Sequence, residues 1–403
     1  MTLRVAVVGA GIGGLTAALA LRRAGLEVRV FEQAPVLREV GAGIQLSPNA
    51  TRVLARLGVA DALARVAVRP EAIEHRRWQD GRVLLRQPLG DEVEREFGAP
   101  YYHVYRPDLL GVLRDALPGD LVRLNRRCVG VADGRVTFED ATTLDADVVV
   151  GADGIHSIVR AAVAGADAPR FSGSIAYRGL VAAERLAHLG LPRHGNSFLG
   201  PNRHFVHYWV AAGRLMNFVA VVPGGESRVE SWSATGEVAD ALAEFTGWHP
   251  QVTTILAAAA CTHRWALYDR EPLARWRRGR LVLLGDAAHA MLPFMAQGAC
   301  QAIEDAAVLA RCLTSATRDE VPEALARYEA IRAPRATEVQ RASRENATLY
   351  HLPDGPAQEA RDARYAAHMA AGPFAARGWL FAYDAGRAGC HTPRHPGSAA
   401  DRK

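Results

Sequence analysis

The sequence has few cysteines, and their spacing excludes two kinds of site. Five occur in 403 residues, at Cys128, Cys261, Cys300, Cys312 and Cys390. No two of them form the C-x-x-C pair that zinc knuckles and redox-active dithiols require. We therefore predict reduced thiols, a cytoplasmic location and no bound metal.

Lysine is almost absent, and the sequence has no long run of basic residues. The only lysine is Lys403, and the other basic residues are arginines that occur singly or in short groups. The formal net charge is only +5, although the pI is about 9.1. Nucleic-acid-binding proteins concentrate positive charge on one stripe or tail. The charge pattern therefore argues against a nucleic-acid partner.

Apolar runs long enough to cross a membrane are also missing. The best candidate, "VAVVGAGIGGLTAALAL" near the N-terminus, is interrupted by glycines, and a membrane-spanning helix needs about 20 apolar residues. We predict a strand, a turn and a helix here, and no membrane association. A hydrophobic content of 49% over 403 residues predicts a globular protein of two closely packed domains.

The first motif predicts a nucleotide site at the end of a buried strand. Residues 4–8 are almost all apolar, and Gly9, Gly11 and Gly14 follow with G-x-G-x-x-G spacing, with Gly13 inside the motif. The first glycine permits a tight turn, the second lets a pyrophosphate approach the backbone, and the third lets helix and strand pack closely. The N-terminus of the next helix offers free amides to the phosphates.

An acid at the end of the second strand narrows the choice of nucleotide. The segment "EVRVFE" ends in Glu32, where a carboxylate can bond the ribose hydroxyls. A carboxylate there disfavours a 2′-phosphate, so the site should hold FAD or NAD rather than NADP.

Two more buried strands end in a glycine turn that carries an acid. "DADVVVGADGIHSIVR" contains Asp153, and "GRLVLLGDAAHAMLPF" contains Asp286. Either acid alone could serve as an ordinary helix cap. Three such turns in this order are more specific than any one of them.

The three turns, followed by "PFMAQGACQAIEDA", resemble the single-component FAD-dependent aromatic hydroxylases. This group includes salicylate hydroxylase, 3-hydroxybenzoate 6-hydroxylase and 6-hydroxynicotinate 3-monooxygenase. The likeness extends from residue 2 to about residue 385 and includes "YRPDLLGVLRDAL" and "FTGWHPQV". It implies bound FAD and a transient visit by NADH or NADPH, because no second G-x-G-x-x-G motif follows a strand.

The resemblance implies an α/β fold in which a discontinuous Rossmann-type FAD-binding domain is interleaved with an antiparallel-sheet substrate domain. A C-terminal helical region and a disordered tail would follow. The expected ranges are 1–70, 101–165 and 278–350 for FAD, 71–100 and 166–277 for substrate, 351–390 for the helical region, and 391–403 for the tail.

The resemblance also implies positions that contact the cofactor. Asp286 would bond the ribityl or ribose part of FAD, and the helix amides at Gly298 and Ala299 would face the flavin pyrimidine edge. Glu304 and Asp305, early in that helix, are interpreted as structural. The remaining implied cofactor contacts are Arg38 and Arg106 at the phosphates, Gly43 and Ile44 beside the isoalloxazine, Cys128 at the adenine, and Asp153 as a brace of its loop.

A predicted hairpin would cover the flavin. "NRHFVHYWVAAGRLMNFVAVVP" reads as strands over about 203–210 and 215–222 joined by "AAGR". Alternation places His204 and Tyr208 on one face and His207 on the other. The resemblance implies that His204 and Tyr208 are the catalytic pair, since histidine can take a phenol proton near neutral pH. His207 would be the base if the strand faced the other way.

The sequence departs from its relatives near the expected substrate. Gln45 stands where the hydroxynicotinate enzyme has a histidine, and Pro293 and Phe294 replace polar residues of some relatives. An apolar Phe294 favours packing against an aromatic ring. These three positions are expected to contact substrate, and their differences leave its identity open.

The sequence therefore predicts an FAD-dependent monooxygenase that hydroxylates a phenolic or aminophenolic ring with NAD(P)H and O2, through oxygen added at the flavin C4a atom. One alternative is a flavin epoxidase or another oxygen transfer in secondary metabolism. The other is a flavin-binding protein without turnover. As a small-molecule enzyme, the protein is expected to be a monomer or a homodimer.

Overall fold

The computed structural model describes residues 2–37, 41–225 and 235–388. Arg38 and the predicted tail at 391–403 lie outside the described residues. The strands, in chain order, are β1 Arg4–Val8, β2 Glu27–Phe31, β3 Gly43–Leu46, β4 Ala72–Arg77, β5 Val83–Pro88, β6 Tyr102–Tyr105, β7 Val122–Arg123, β8 Cys128–Ala132, β9 Arg135–Phe138, β10 Thr143–Asp145, β11 Val148–Gly151, β12 Arg170–Ala182, β13 His194–Gly200, β14 Arg203–Val210, β15 Leu215–Pro223, β16 Thr235–Gly236, β17 Thr262–Asp269, β18 Arg277–Arg278 and β19 Leu281–Leu283.

The helices connect and cover these strands. In chain order they are α1 Ile12–Arg23, α2 Pro48–Arg56, α3 Ala60–Val66, α4 Gly90–Phe97, α5 Arg106–Asp115, α6 Ile158–Ala164, α7 Ala183–Leu186, α8 Val238–Glu244, α9 Pro250–Ala257, α10 Asp286–His289, α11 Gly298–Leu313, α12 Val321–Tyr350, α13 Pro356–Ala371 and α14 Gly378–Phe381.

A six-stranded sheet carries the three glycine turns. Its order is β18-β19-β11-β1-β2-β7, and all pairs are parallel except β18 with β19. The central strands β1 and β11 are apolar and buried, as parallel strands with both faces covered must be. Because parallel strands end at the same edge, the turns after β1, β11 and β19 meet there. The segment predicted as a strand, turn and helix is β1 and α1, and no described helix is long and apolar enough to cross a membrane.

An eight-stranded sheet forms the second layer. Its order is β16-β17-β12-β15-β14-β13-β4-β5, and every pair is antiparallel except β13 with β4. The hairpin predicted from the sequence is β14 and β15. One face of the sheet buries an aromatic core with α8 and α9 that includes Phe205, Phe218 and Phe245. The other face is turned toward the first sheet.

The chain segments in each sheet correspond to the expected domain ranges. The strands of the eight-stranded sheet come from 72–88 and 170–269, and those of the six-stranded sheet from residues before 32 and from 122–123, 148–151 and 277–283. On this basis we propose the division into a discontinuous FAD-binding domain, a substrate domain and a C-terminal helical region.

A buried ionic cluster joins α11 to α12. Arg332 is fully buried, and its Nε atom lies 2.7 Å from Asp305 while its Nη1 atom lies 2.5 Å from Glu304. Asp305 also accepts the backbone N–H of Gly285 at 2.9 Å and pairs with His289 at 2.7 Å. Full burial with all these partners agrees with the predicted structural role of the two acids.

Candidate active site

A cavity that contains many of the predicted site residues lies between the two sheets. It has a volume of about 350 Å³. Among the residues singled out in the sequence, the cavity is lined by Gly11, Gly13, Gly43, Ile44, Gln45, Arg106, His204, Tyr208, Asp286, Pro293, Phe294, Gly298 and Ala299. Residues from segments almost 300 positions apart are therefore brought to one place.

The first glycine turn has the shape that a phosphate site needs. A Cβ atom on Gly9 would lie 2.4 Å from the carbonyl oxygen of Ala152, and one on Gly14 would lie 1.9 Å from that of Gly9. A Cβ on Gly11 would meet nothing within 4 Å, so the backbone is open to the cavity at this residue. Gly11 caps α1 without any side-chain hydrogen bond, and the first-turn amides remain available to an anion.

Glu32 lies beside this turn but already holds two backbone amides. Its Oε2 atom accepts the N–H of Ala10 at 2.9 Å, and its Oε1 atom accepts that of Ala34 at 2.9 Å. A carboxylate offers about four lone-pair sites, so two remain for hydroxyl donors. Glu32 therefore fixes the glycine turn against the end of β2 and can still bind a ribose.

The two other acids occupy different positions. The Oδ2 atom of Asp153 accepts the backbone N–H of Ile158 at 2.8 Å, which braces the loop before α6, and burial raises the pKa of this carboxyl. Asp286 is exposed to the cavity at the start of α10, and a Cβ on Gly298 would lie 3.9 Å from its Oδ1 atom. Within the described residues the Asp286 carboxylate makes no hydrogen bond, so it can accept a ligand hydroxyl.

The residues present fit FAD. The open backbone at Gly11 suits a pyrophosphate, the Asp286 carboxylate suits a polyol, and α11 begins at Gly298 without a capping side chain or an acid in its first turn. Arg106 starts α5 and lines the same cavity. Cys128 lies buried at the start of β8, outside the residues that line the cavity.

The sheet wall of the cavity is formed by alternate residues of β14. His204, Val206 and Tyr208 line the cavity, as the predicted alternation requires. His207 points to the other face, where its Nε2 atom lies 2.9 Å from Gln251 and its ring stacks on Phe198. The alternative in which His207 is the base is therefore wrong.

His204 is buried in an aromatic environment. Its Nδ1 atom lies 2.7 Å from Nε2 of His351, and its ring meets the ring of Phe294 edge-on at 5.2 Å. Burial, followed by the influence of His351, lowers the pKa of His204 well below its usual value. The imidazole is therefore neutral at neutral pH and has one nitrogen that can accept a proton.

The phenol of Tyr208, unlike the imidazole of His204, serves as a hydrogen-bond donor. Burial raises the pKa of its phenol, so the hydroxyl keeps its proton, and it forms a hydrogen bond with Gln45. The hydroxyl of Tyr101 also donates to the Oε1 atom of Gln45, at 2.6 Å. Tyr208 therefore brings a neutral O–H donor to the cavity that His204 lines as a proton acceptor.

Arg178, which no sequence motif singled out, brings a positive charge to the same wall. Arg178 is only 7% exposed, lines the cavity, and lies 4.7 Å over the ring of Trp265. Burial, and then the neighbouring Arg106, lowers the pKa of Arg178 to about 10, which leaves it charged at neutral pH. A signal was present, because this arginine interrupts the apolar strand sequence "IAYRGLV".

The loop before α11 closes the cavity on the side of the ring pocket. Pro293 and Phe294 belong to a single 3₁₀ turn, and the backbone carbonyl of Phe294 accepts a hydrogen bond from Asn346 at 3.1 Å. Both predicted substrate-contact residues of this loop thus reach the cavity. Within the described part of the chain, no cluster of three or more potential ligands could hold a metal ion.

The chain is similar to a protein-family model, to named enzymes and to solved structures. A model of the FAD binding domain family matches residues 2–343. The chain is 49% identical to 3-amino-4-hydroxybenzoate 2-monooxygenase PtmB3 of Streptomyces platensis, over 89% of this chain and 91% of the relative. It is 40% identical to 6-hydroxynicotinate 3-monooxygenase of Pseudomonas fluorescens, over 86% and 91%. Among solved structures, Klebsiella pneumoniae HpxO complexed with FAD and uric acid aligns with a TM-score of 0.80 and 30% identity, over 90% of this chain and 92% of that one.

Proposed function

The chain belongs to the FAD binding domain family and is an FAD-dependent aromatic monooxygenase, and from this premise we propose that it hydroxylates an amino-hydroxybenzoate. Three relatives with 46–49% identity are named 3-amino-4-hydroxybenzoate 2-monooxygenases. The proposal extends their substrate class to this chain. NADH or NADPH would be the reductant and O2 the source of the new oxygen atom.

One geometrical relationship carries the choice of substrate. The strand pairings align His204 with Val221 and Ala176, and they align Arg178 with Val219. Arg178 therefore lies on the same face as His204, on the second strand away and displaced by two residues along that strand. Together these two displacements correspond to about 12 Å between the Cα atoms.

Side chains that leave one face of a sheet in parallel keep about the separation of their Cα atoms, and a para-hydroxybenzoate spans roughly 12 Å between the two atoms that hydrogen-bond to its ends. A phenol at His204 and a carboxylate at Arg178 would thus place one benzene ring between them. An amino group next to the phenol adds little to this length. The apolar side chains of Val206, Val219 and Phe294 provide surfaces for the ring.

In this arrangement His204 removes the phenol proton, which makes the ring a better nucleophile, and Tyr208 donates a hydrogen bond to a polar group of the substrate. Arg178 orients the carboxylate through charge-assisted hydrogen bonds. FAD, held by the residues assigned below, would supply the oxygen-transfer chemistry, with NAD(P)H as the source of electrons. The apolar walls exclude water from the reacting ring.

The same proposal assigns the cofactor contacts. The turn formed by Gly9, Gly11, Gly13 and Gly14 would hold the pyrophosphate together with Arg106. Glu32 would bind a ribose, Asp286 the ribityl chain, and the α11 amides at Gly298 and Ala299 the pyrimidine edge, where a helix N-terminus stabilises negative charge. Gly43 and Ile44 would lie along the isoalloxazine, and Cys128 near the adenine.

Substrate-stimulated oxidation of NAD(P)H, with product analysis by mass spectrometry, tests the function. The panel is 3-amino-4-hydroxybenzoate, 4-hydroxybenzoate, salicylate and 6-hydroxynicotinate. We expect the amino-hydroxybenzoate to give the highest kcat/KM and a product heavier by one oxygen atom. Faster turnover of 4-hydroxybenzoate, salicylate or 6-hydroxynicotinate than of 3-amino-4-hydroxybenzoate would refute the proposed substrate class.

Substitution of His204 separates the proposed chemistry from other oxygen transfers. His204→Ala should lower the rate of hydroxylation about 100-fold or more and leave FAD binding unchanged, whereas the exposed His188→Ala is the matched control. Epoxidation of an alkene would be insensitive to His204, because it needs no phenol base. Equal losses of FAD binding and hydroxylation would contradict the role of His204.

A further inference from the structure

The contact between His204 and His351 uses one particular ring nitrogen of each histidine. His351 is the first residue after α12, and its ring stacks on that of His204 with centroids 4.9 Å apart. The Nδ1 atom of His204 is engaged by the Nε2 atom of His351 at 2.7 Å. The Nε2 atom of His204 is therefore the nitrogen left to serve the cavity.

The two histidines also differ in exposure. His204 is 3% exposed, whereas His351 is half-buried and is followed by the exposed residues Pro353 and Asp354. The pair therefore connects the interior of the cavity with the protein surface. No element of the sequence pattern around His351 indicated this position.

We propose that His351 is the outer member of a proton relay that carries the phenol proton of the substrate from His204 to water. The inference rests on the proposed function, since it requires a phenol in the cavity. His204 touches the substrate, and His351 is a positioning and relay residue that acts through it.

The proton balance closes with two neutral histidines. The phenol O–H bond breaks as Nε2 of His204 gains the proton, and the Nδ1–H bond of His204 breaks as Nε2 of His351 gains its proton. The Nδ1 proton of His351 then leaves to water. The products are a phenolate in the cavity, two neutral histidines and one proton in solution.

The surroundings explain why the proton must move on. The ring contacts of His204 among the described residues are with Phe294, Tyr350 and His351, and His75 packs on Tyr350 at 5.2 Å. The rings around the pair are thus uncharged, and the charged groups that act on His75 behind them, Arg361 and Arg377, are positive. An imidazolium kept at His204 would be a buried cation without a counter-ion, which is costly.

Both histidines have the protonation state that a relay needs. Burial lowers the pKa of His351 to about 4, and it also lowers the pKa of His204 well below its usual value. Each ring then has one N–H and one lone pair over the whole neutral range. A charged histidine at either position would block the transfer.

The test measures phenolate formation directly. The oxidised holoenzyme is mixed with 3-amino-4-hydroxybenzoate in a stopped-flow instrument, and the absorbance of the bound phenolate is followed in H2O and D2O. We expect His351→Phe and His351→Gln to slow this phase about tenfold to 100-fold, and imidazole to restore it in His351→Gly. His188→Phe, at an exposed histidine, should behave as wild type.

The possible outcomes distinguish failure of the proposed relay from failure of the proposed function. If wild type hydroxylates the substrate but His351→Phe forms phenolate at the wild-type rate, the relay is refuted and the function stands. If wild type hydroxylates no substrate of the panel, the proposed function itself fails.

A second measurement needs no variant. Nitrogen-15 NMR of histidine-labelled wild-type protein reports which ring nitrogen carries the proton. We expect the Nδ1–H tautomer for His204 and His351. An Nε2–H tautomer at His204 in the free enzyme would overturn the inference, because that nitrogen could then accept nothing.

Discussion

The backbone N–H of Gly43 donates a hydrogen bond to the Oδ1 atom of Asn217 at 2.7 Å. Gly43 begins β3 and lines the cavity, and Asn217, which is 1% exposed, lies in the sheet wall on β15. A Cβ on Gly43 would lie 2.5 Å from the ring of Tyr208. This contact is one of the places where the two halves of the cavity are joined without room for a side chain.

Gly43→Ala should therefore disturb the packing of the cavity instead of stabilising the protein by making the chain less flexible. The added methyl group must displace Tyr208 or Asn217, at a cost of about 1–3 kcal/mol. We expect a lower melting temperature and more NAD(P)H consumed per product formed. Gly111→Ala is the control, because a Cβ there meets nothing within 4 Å and alanine in helix α5 should add about 1 kcal/mol of stability. Equal effects of the two substitutions would contradict this account.

Glu32→Ala should weaken FAD binding at least tenfold. The substitution removes the acceptor of the amides of Ala10 and Ala34 and also the proposed ribose contact, and hydrogen bonds to a charged group contribute about 1.5–3 kcal/mol each. Titration of the apoprotein with FAD, followed by flavin fluorescence, gives the dissociation constant. Glu27→Ala, at the exposed start of strand β2, which Glu32 follows, should leave the dissociation constant unchanged.

Arg178→Met should raise the KM for 3-amino-4-hydroxybenzoate about tenfold to 100-fold, because the carboxylate loses its cationic partner. The KM for 2-aminophenol, which has no carboxylate, should hardly change. Arg178→Lys should fall between wild type and Arg178→Met, since an ammonium keeps the charge but not the planar fork. If the variant loses both substrates equally, Arg178 supports the fold or the cofactor and does not bind the carboxylate.

Stability should fall when the pH drops below about 6.5. Burial lowers the pKa values of His75, His103 and His207 to about 3 and that of His351 to about 4. Between pH 6.5 and these values the unfolded chain binds more protons than the folded one. Each histidine then lowers the free energy of unfolding by about 1.4 kcal/mol per pH unit.

Urea unfolding of the protein at pH 7.5, 6.5 and 5.5 measures this slope. His103 is the best single test, because it is 1% exposed and neither of its ring nitrogens has a hydrogen-bond partner within the described residues. His103→Phe should keep the ring packing and reduce the loss between pH 6.5 and 5.5. An unchanged slope would show that His103 is not neutral in the folded protein.

The parts of the site that the sequence predicted depend on local patterns. Glycine spacing after a buried strand fixed the position of the turn at Gly9–Gly14, and period-two alternation placed His204 and Tyr208 on one face. Both features follow from backbone geometry within a few residues. They could therefore be predicted without knowledge of the tertiary structure.

The missed residues reach the cavity through long-range packing. His351 is 147 residues from His204 in the chain, and its place depends on where α12 ends. Arg178 is on the correct face only because β12 pairs with β15 in one particular register. The close contact of Gly43 with Asn217 likewise brings β3, which pairs with β6 in a separate two-stranded sheet, against β15 of the eight-stranded sheet. No local periodicity encodes these distances.

Helix α12 connects the two proposed ligand sites. Its Arg332 is bonded to the acids of α11, whose first residues are proposed to face the flavin, and its last turn presents His351 to His204. Thirty helical residues span about 45 Å as a single element. The binding of FAD and the binding of the aromatic substrate should therefore be thermodynamically coupled. By the reciprocity of coupled equilibria, FAD must raise the affinity for the aromatic compound by the same factor by which that compound raises the affinity for FAD.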